Sequence, residues 1–420
     1  HYLGASKNGF VPFGFDLTPY VQFGKPNVLA VMCDNRFMIS QIADTAGGKT
    51  KKNDLTDTNS KPAESLSAYE KRVNSSVPDK VDDAQAQQIP WNNPQWHPPL
   101  GGIYRDVRLY VTDPLHLSLP LYDFLQTAGP YVYATEISSA SAGIGVEIPV
   151  ENDRPQETMI EVTAQVLDRD GNSILTLKTN GVIAAGAKSL FEFAGAIENP
   201  QLWEPDYPYL YHVVCSISAE NQAVDACEIP LGIRAVHWDV KTGFWINGHH
   251  LKLHGWGQRP TDEWPGLGSA QPDWLHYYTL DLMKQAGGNF IRWGHCAGGP
   301  AMIRAGDELG FVTDQPGVDG ESDTVGAPWK IRAAAFRDAV IYFRNNPSIL
   351  IWEGGNQKVT RAHAAELSGL AKKYDPHGGR AYAHRRADQT TGAFMDITIG
   401  TEGSHEVQQL PVVEGEYDRE

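Results

Sequence analysis

The sequence predicts a multidomain protein in which an all-β region is followed by a β/α-barrel. Up to about residue 238, short β-rich runs alternate with Gly, Pro and Asn turns, which is typical of antiparallel sheets. Beyond that point strand-like runs alternate with helical ones, which indicates a parallel sheet with right-handed crossovers. The apolar run 349–352 then leads into a polar, glycine-rich loop. In a β/α-barrel, chemistry sits at such strand ends.

Composition limits the classes of partner and cofactor. The chain has 420 residues, 41% of them hydrophobic, which suffices for the cores of two or three domains. Its net charge of −16 argues against nucleic acid or an anionic membrane as partner and leaves neutral substrates open. No run reaches the roughly twenty apolar residues of a membrane-spanning helix. The four cysteines lack metal-ligand spacing and the fourteen histidines form no evident cluster, so we expect neither a metal nor a cofactor.

The first 238 residues contain two kinds of segment. Runs 28–33, 107–111 and 160–167 are β-rich, and the last of them alternates as a half-buried sandwich strand does. The tract between residues 42 and 88 is polar and almost free of aromatic residues, which predicts a long loop or a disordered insertion. Cys215 and Cys227 could form a local disulfide, although free thiols are favoured.

After residue 238 the pattern predicts seven strands and four helices. The strands are expected at 251–254, 289–293, 311–313, 349–352, 380–384, 397–399 and 412–413, and the helices at 273–286, 300–309, 332–343 and 363–374. The last strand would be the seventh of eight. We therefore expect the chain to stop before the barrel closes.

Several motifs resemble glycoside hydrolase family 2, the retaining β-galactosidase and β-glucuronidase family. The most specific is R-N-N-P-S-I-L-I-W-E-G-G-N at 344–356. Other segments are similar to the sugar-binding jelly roll of the family (9–18, 24–31 and 101–105) and to its immunoglobulin-like domain (199–211 and 232–234). The resemblance implies an incomplete jelly roll over 1–112, an immunoglobulin-like β-sandwich over 113–238 and a C-terminally incomplete catalytic TIM barrel over 239–420. It also implies a carbohydrate partner, and it leaves an oligomer possible and the location unknown, with secretion or the periplasm as our guess.

The resemblance also implies a nucleophile. Retaining glycosidases use one carboxylate to attack the anomeric carbon and a second carboxyl, about 5 to 5.5 Å away, to protonate the leaving oxygen. The segment 411–417, P-V-V-E-G-E-Y, resembles the nucleophile motif of the family, which assigns the attack to Glu416. Glu414 is the alternative, since it would point the same way on a regular strand.

The acid position departs from the family. Relatives carry Glu directly after the motif's Asn, whereas this chain has Gln357. An amide cannot act as a general acid, and losing that assistance typically removes about a hundred- to ten-thousand-fold of rate. Three explanations stay open: Glu353 or Glu402 has taken the role, the chain is an engineered inactive variant, or it is a carbohydrate-binding pseudoenzyme. We favour a relocated acid.

The remaining candidates would bind substrate. The motif N-F-I-R-W-G-H at 289–295 resembles the family's strand-two segment, which implies that Arg292 orients the nucleophile and that His295 binds a sugar hydroxyl. By the same resemblance Asn356 holds the 2-hydroxyl, and Asp314 is either a hydroxyl ligand or a loop cap. Trp352 is the fifth candidate for substrate binding.

Overall fold

The structure is a computed structural model, and it describes residues 1–33, 102–259, 264, 266–317, 323, 325–356, 358–401 and 407–416. The tract predicted as an insertion, 42–88, lies outside these residues. So do Gln357 and Glu402. Among the helices in the described ranges, none is long and apolar enough to cross a bilayer.

The N-terminal segments 1–33 and 102–112 carry turns but no regular strand. This corrects the expectation of strands at 28–33 and 107–111. The physical reason is that a stable strand covers at least one face against a core. In these runs Val28, Leu109 and Val111 are instead strongly exposed.

The next region is a sandwich of two antiparallel sheets. In one, β3 pairs with β6 along one edge and with β1 and β2 along the other, and the second sheet has the order β5-β4-β7-β8. Alternate residues of β3, β4 and β7 are buried and form a shared core, as expected for half-buried strands. The strands are β1 Leu115–Leu117, β2 Tyr131–Thr135, β3 Ser141–Asn152, β4 Thr158–Leu167, β5 Ser173–Ile183, β6 Ala187–Glu198, β7 Tyr211–Ala219 and β8 Gln222–Leu231. Cys215 and Cys227 face each other across β7 and β8 as free thiols.

A three-stranded antiparallel sheet precedes the parallel region, in which the described residues form seven parallel strands in chain order. The first five parallel strands form one sheet, and a bridge from Arg385 to Ile399 connects it to the last two. The antiparallel strands are β9 Val236–Asp239, β10 Gly243–Ile246 and β11 His249–His250. The parallel strands are β12 Gly255–Gln258, β13 Phe290–Trp293, β14 Val312–Pro316, β15 Ile349–Glu353, β16 Ala381–Ala383, β17 Thr398–Thr401 and β18 Val412–Glu416.

In the part of the chain that the structure describes, four α-helices and one 3₁₀ helix connect these strands. They are α1 Asp273–Gln285, α2 Pro300–Leu309, α3 Ala327–Phe343 and α4 Arg361–Tyr374, with the 3₁₀ helix at Gly392–Phe394. The predicted order of strands and helices is confirmed. The first strand begins four residues later than predicted, because pairing with β13 starts at Gly255, while Leu251 and Leu253 pack against the core beneath.

The parallel strands separate two cores. One lies between strands and helices and includes Ile291, Trp293 and Trp352; the other lies inside the curved sheet and includes Phe290 and Ile351, closed from below by side chains of β10. This alternation follows from the two-residue period of a strand. It directs Arg292 and Glu353 to the inside, at the carboxyl ends of β13 and β15.

Arg344 and Asn345 of the motif 344–356 connect the two regions. The Arg344 guanidinium donates to the carbonyls of Ala128 and Gly129, and Asn345 accepts from the Val132 amide at 2.9 Å. Asn346 instead donates to the buried carboxylate of Asp307 in α2, within the parallel region. Arg344 and Asn345 therefore fix the sandwich to the amino-terminal side of the parallel strands.

Candidate active site

Arg292 is the centre of a polar cluster at the strand ends. Its Nε and Nη2 donate to the two carboxylate oxygens of Glu353, with Nε to Oε2 at 2.9 Å. Nη1 donates to Oε1 of Glu416 at 3.0 Å, and Nη2 also donates to Oδ1 of Asn356 at 3.0 Å. Burial alone would lower the pKa of Arg292, but the charges of Glu353, Asp314 and Glu416 more than compensate and raise it. The guanidinium is permanently charged.

Three side chains from two strand ends converge on the Glu416 carboxylate. Besides Arg292 from β13, the Nε2 of His295, after the same strand, lies 3.6 Å from Oε1, and the Nη2 of Arg385, after β16, lies 2.7 Å from Oε2. Glu416 itself is the last residue of β18. Arg292 thus contacts the carboxylate that it was predicted to orient, and its role stays a prediction.

A second carboxyl sits behind the arginine. Asp314 is fully buried on β14, with Oδ2 at 3.6 Å from the Nε of Arg292. Burial, reinforced by the neighbouring charge of Glu353, raises the pKa of Asp314 well above its usual range. Two carboxyls, those of Glu353 and Asp314, therefore lie directly behind Arg292.

Asn356 is held by two arginines. Its Oδ1 accepts from Nη2 of Arg292 and, at 2.7 Å, from Nη1 of Arg385. Since the oxygen faces both guanidiniums, the amide orientation is fixed and its NH₂ group points away from them. A donor in this orientation suits a sugar hydroxyl.

Comparison with known proteins shows which family this chain is similar to. The family model for glycosyl hydrolases family 2 matches residues 129–234. A β-glucuronidase of Formosa agariphila is 44% identical over 423 aligned residues, covering 100% of this chain and 39% of the relative. A solved β-glucuronidase from glycoside hydrolase family 2 is 43% identical with a TM-score of 0.85, covering 100% of this chain and 40% of that one. The chain belongs to glycosyl hydrolase family 2.

More distant family 2 relatives carry other names. A β-galactosidase of Bacteroides ovatus is 24% identical, with 88% of this chain and 36% of the relative aligned. The chain thus spans well under half of the length of these relatives. The two proteins above 40% identity are both named β-glucuronidases, whereas the sequence motifs suggested a β-galactosidase-like protein.

Two predicted substrate ligands need correction in this family 2 chain. Trp352 points outward into the core between strands and helices, and its indole Nε1 donates to Asp375 at 2.8 Å. It does not reach the strand-end cavity, because neighbouring residues of a strand face opposite sides. Asp314 is neither a hydroxyl ligand nor a loop cap, since the Arg292 guanidinium lies between it and the cavity side.

The structure also distinguishes between the candidate carboxyl groups. Glu353 is 1% exposed and both of its oxygens accept from Arg292, which leaves it poorly placed to protonate a substrate. Gln357 and Glu402 lie outside the described residues. Glu414 lines the cavity, but a register shift between β17 and β18 places Gly415 as an extra residue, so Glu414 and Glu416 do not follow regular strand spacing. In the described part of the site it is Glu416, not Glu414, that contacts Arg292 and Arg385.

Sequence reasoning missed Arg385. The signal was available, because residues 380–384 were predicted as a strand and the next residue occupies its carboxyl end. Applying the strand-end rule of β/α-barrels to this strand would have selected it. Glu416, Asn356 and Arg292 were selected through motifs, whereas Arg385 belongs to none of those motifs.

The cluster opens into a cavity of about 1470 Å³ between β12 and β18. Among the described residues, its wall carries five cationic side chains and two carboxylates, an excess of positive charge in a chain of net charge −16. The cations are Lys252, Arg259, Arg292, Arg385 and Arg386, and the carboxylates are Glu414 and Glu416. In the described residues no group of three or more His, Cys, Asp or Glu side chains could hold a metal ion.

Proposed function

We propose that this chain carries the nucleophile of a retaining β-glycosidase, held in an immunoglobulin-like sandwich and β/α-barrel architecture. The observation that supports the proposal is the Glu416 carboxylate, presented at a strand end to a large cavity and bound by Arg292, His295 and Arg385. A carboxylate held in one position by charged donors can attack the anomeric carbon without reorganising.

The reaction has two displacements. In the first, a Glu416 oxygen forms a bond to the anomeric carbon while the bond to the leaving oxygen breaks and that oxygen takes a proton. In the second, water attacks the same carbon, loses a proton to a base and releases Glu416, so the configuration is retained. Asn356 would donate to the 2-hydroxyl, a contact that strengthens as charge develops on the sugar ring.

The acid is proposed to come from a residue other than Gln357. An amide has no ionisable proton in the useful range, and Arg292 occupies both oxygens of Glu353. Of the two carboxyls considered from the sequence, Glu402 is therefore the better candidate. It lies directly after β17, the neighbour of the strand that carries Glu416.

The proposed substrate is a β-linked glycoside with an acidic glycone. Arg259 and Arg386 follow directly on strand-end residues Gln258 and Arg385 and lie on the cavity wall. Arginines bind carboxylates through paired N–H donors, which distinguishes a uronate from a neutral hexose. The β-glucuronidase names of the two relatives above 40% identity agree with this charge, although they describe those proteins.

An assay of 4-nitrophenyl β-glucuronide, β-galactoside and β-mannoside tests both the proposed nucleophile and the proposed acidic substrate. We expect the glucuronide to be hydrolysed fastest, Glu416→Gln to abolish release of nitrophenol, and Arg386→Gln to reduce the preference for glucuronide over galactoside. Equal rates on the neutral sugars would refute the acidic substrate. Unchanged activity in Glu416→Gln would refute the nucleophile.

A carbohydrate-binding pseudoenzyme is the second candidate, and the amide at Gln357 is the observation in its favour. The two candidates differ on a substrate with a good leaving group, because 4-nitrophenolate needs little protonation on departure. Hydrolysis of such a glycoside, lost in Glu416→Gln, supports the enzyme. Saturable binding of the same sugar without any turnover supports the pseudoenzyme.

A further inference from the structure

Arg385 is a second buried arginine at the nucleophile, and its backbone is fixed from both sides. It follows β16, and its amide donates to the Gly355 carbonyl at 3.0 Å in the loop after β15. On the other side it forms a parallel bridge with Ile399 of β17. The side chain is 1% exposed. Two neighbouring strand ends therefore determine where the guanidinium lies.

The charge of Arg292 is already compensated without Glu416. Both oxygens of Glu353 accept from Arg292, and both side chains are nearly inaccessible to water. A buried, doubly hydrogen-bonded pair of this kind is close to neutral as a unit. Asp314 also lies beside Arg292, with Oδ2 at 3.6 Å from Nε. Because Arg292 already faces these two buried carboxyls, another cation is needed to balance the negative charge of Glu416.

Arg385 is positioned to supply that cation. Its Nη2 lies 2.7 Å from Oε2 of Glu416, the oxygen opposite to the one that Arg292 and His295 approach. Its Nη1 donates to Oδ1 of Asn356 at 2.7 Å. One planar guanidinium thereby connects the proposed nucleophile to the residue proposed to bind the 2-hydroxyl, and fixes the spacing between them.

We propose that Arg385 is a positioning residue that supplies the counter-charge of Glu416 and holds Glu416 and Asn356 in register for attack on the sugar. This inference rests on the proposed function, since it needs Glu416 to be the nucleophile. In this division of roles, Arg385 balances the negative charge of Glu416, and Arg292 links Glu416 to the buried carboxyls. Exchange of Arg385 should therefore change the reactivity of Glu416 more than the stability of the fold.

The test is covalent trapping with an activated 2-deoxy-2-fluoro β-glycoside, followed by intact mass and peptide mapping of Glu416. The variants are Arg385→Gln and Arg385→Lys, with Arg361→Gln as control because Arg361 is exposed on α4 and donates to the Thr390 carbonyl. Arg385→Gln loses the ion pair with Glu416 and a hydrogen bond from a charged donor to Asn356, which corresponds to about a ten- to hundred-fold slower trapping. Arg385→Lys should restore part of the rate, since it keeps the charge but not the fork of donors.

The two constants of trapping separate positioning from a merely structural role. Loss of the counter-charge should slow the covalent step at saturating inactivator, in Arg385→Gln more than in Arg385→Lys, and should change the half-saturating concentration much less. Urea unfolding verifies that the variants are folded; if Arg385→Gln is not, Arg385→Lys decides by its covalent rate and half-saturating concentration. Wild-type trapping with an unchanged covalent rate in the folded variants overturns the role of Arg385 alone. Absence of trapping at Glu416 in the wild type overturns the proposed nucleophile and this inference with it.

Discussion

The pair formed by Arg292 and Glu353 makes a quantitative prediction about stability. The two side chains are 2% and 1% exposed, and two donors of the guanidinium bind the two oxygens. Removing one member of such a pair leaves an uncompensated buried charge, which costs about 3 to 5 kcal/mol. We therefore expect Arg292→Gln to lower the free energy of unfolding by this amount. Glu353→Gln added to it should recover much of the loss.

A double-mutant cycle in urea, followed by tryptophan fluorescence, measures this coupling. The matched control is the exposed pair of Arg304 and Asp273, whose N–O distance of 2.9 Å is similar but whose side chains are 47% and 65% exposed. There Arg304→Gln should cost less than about 1 kcal/mol. If Arg292→Gln costs no more than Arg304→Gln, or if the coupling in the cycle is near zero, the buried pair does not hold the site as argued.

Three further predictions concern the acid position, pH and backbone packing. Gln357→Glu should leave hydrolysis of unactivated glycosides unchanged or lower, because a relocated acid is perturbed by a second carboxyl; a gain of about a hundred-fold or more would instead indicate a disabled acid position. Burial raises the pKa of Asp338 to about 6, so ionisation of this buried carboxyl destabilises the fold progressively as pH rises from about 4 to 6. In urea unfolding, Asp338→Asn should therefore stabilise the protein by up to about 3 kcal/mol at pH 8, but not at pH 4. Gly415→Ala should lower activity, since its Cβ would lie 2.4 Å from Ile399, whereas Gly369→Ala in α4, with no atom within 4 Å, should not; equal activities would refute the packing argument.

The sequence predicted the parallel region well because each strand there is a short apolar run bounded by turn residues. The run 349–352 could not be assigned to a helix, since four residues are too few and two glycines, Gly354 and Gly355, follow shortly after it. The same run explains the failure at Trp352. When all residues of a strand are buried, composition does not show which side chains face the inside of the sheet and which face the helices.

The site was predicted where motifs exist and missed where geometry alone decides. Arg292, Asn356 and Glu416 were found through local sequence motifs. The pairing of Arg385 with Glu416 instead depends on β16 and β18 ending at the same rim of the sheet, on either side of β17. The N-terminal runs show the opposite case. Residues 28–33 have strand composition, yet Val28, Leu29 and Val31 are exposed, and local composition does not show whether a run is covered by a core.

The charge arrangement bears on the choice between an enzyme and a binding protein. Burying two arginines costs desolvation free energy, and that cost is recovered only if each charge has a partner. Arg292 has Glu353, which faces away from the cavity; Arg385 has Glu416, which faces the cavity. A site that only binds neutral or acidic sugars gains little from a carboxylate in that place, and for an acidic glycone the carboxylate is repulsive. The arrangement is explained if Glu416 must stay ionised beside its substrate until it attacks, so it supports a nucleophile over a passive ligand.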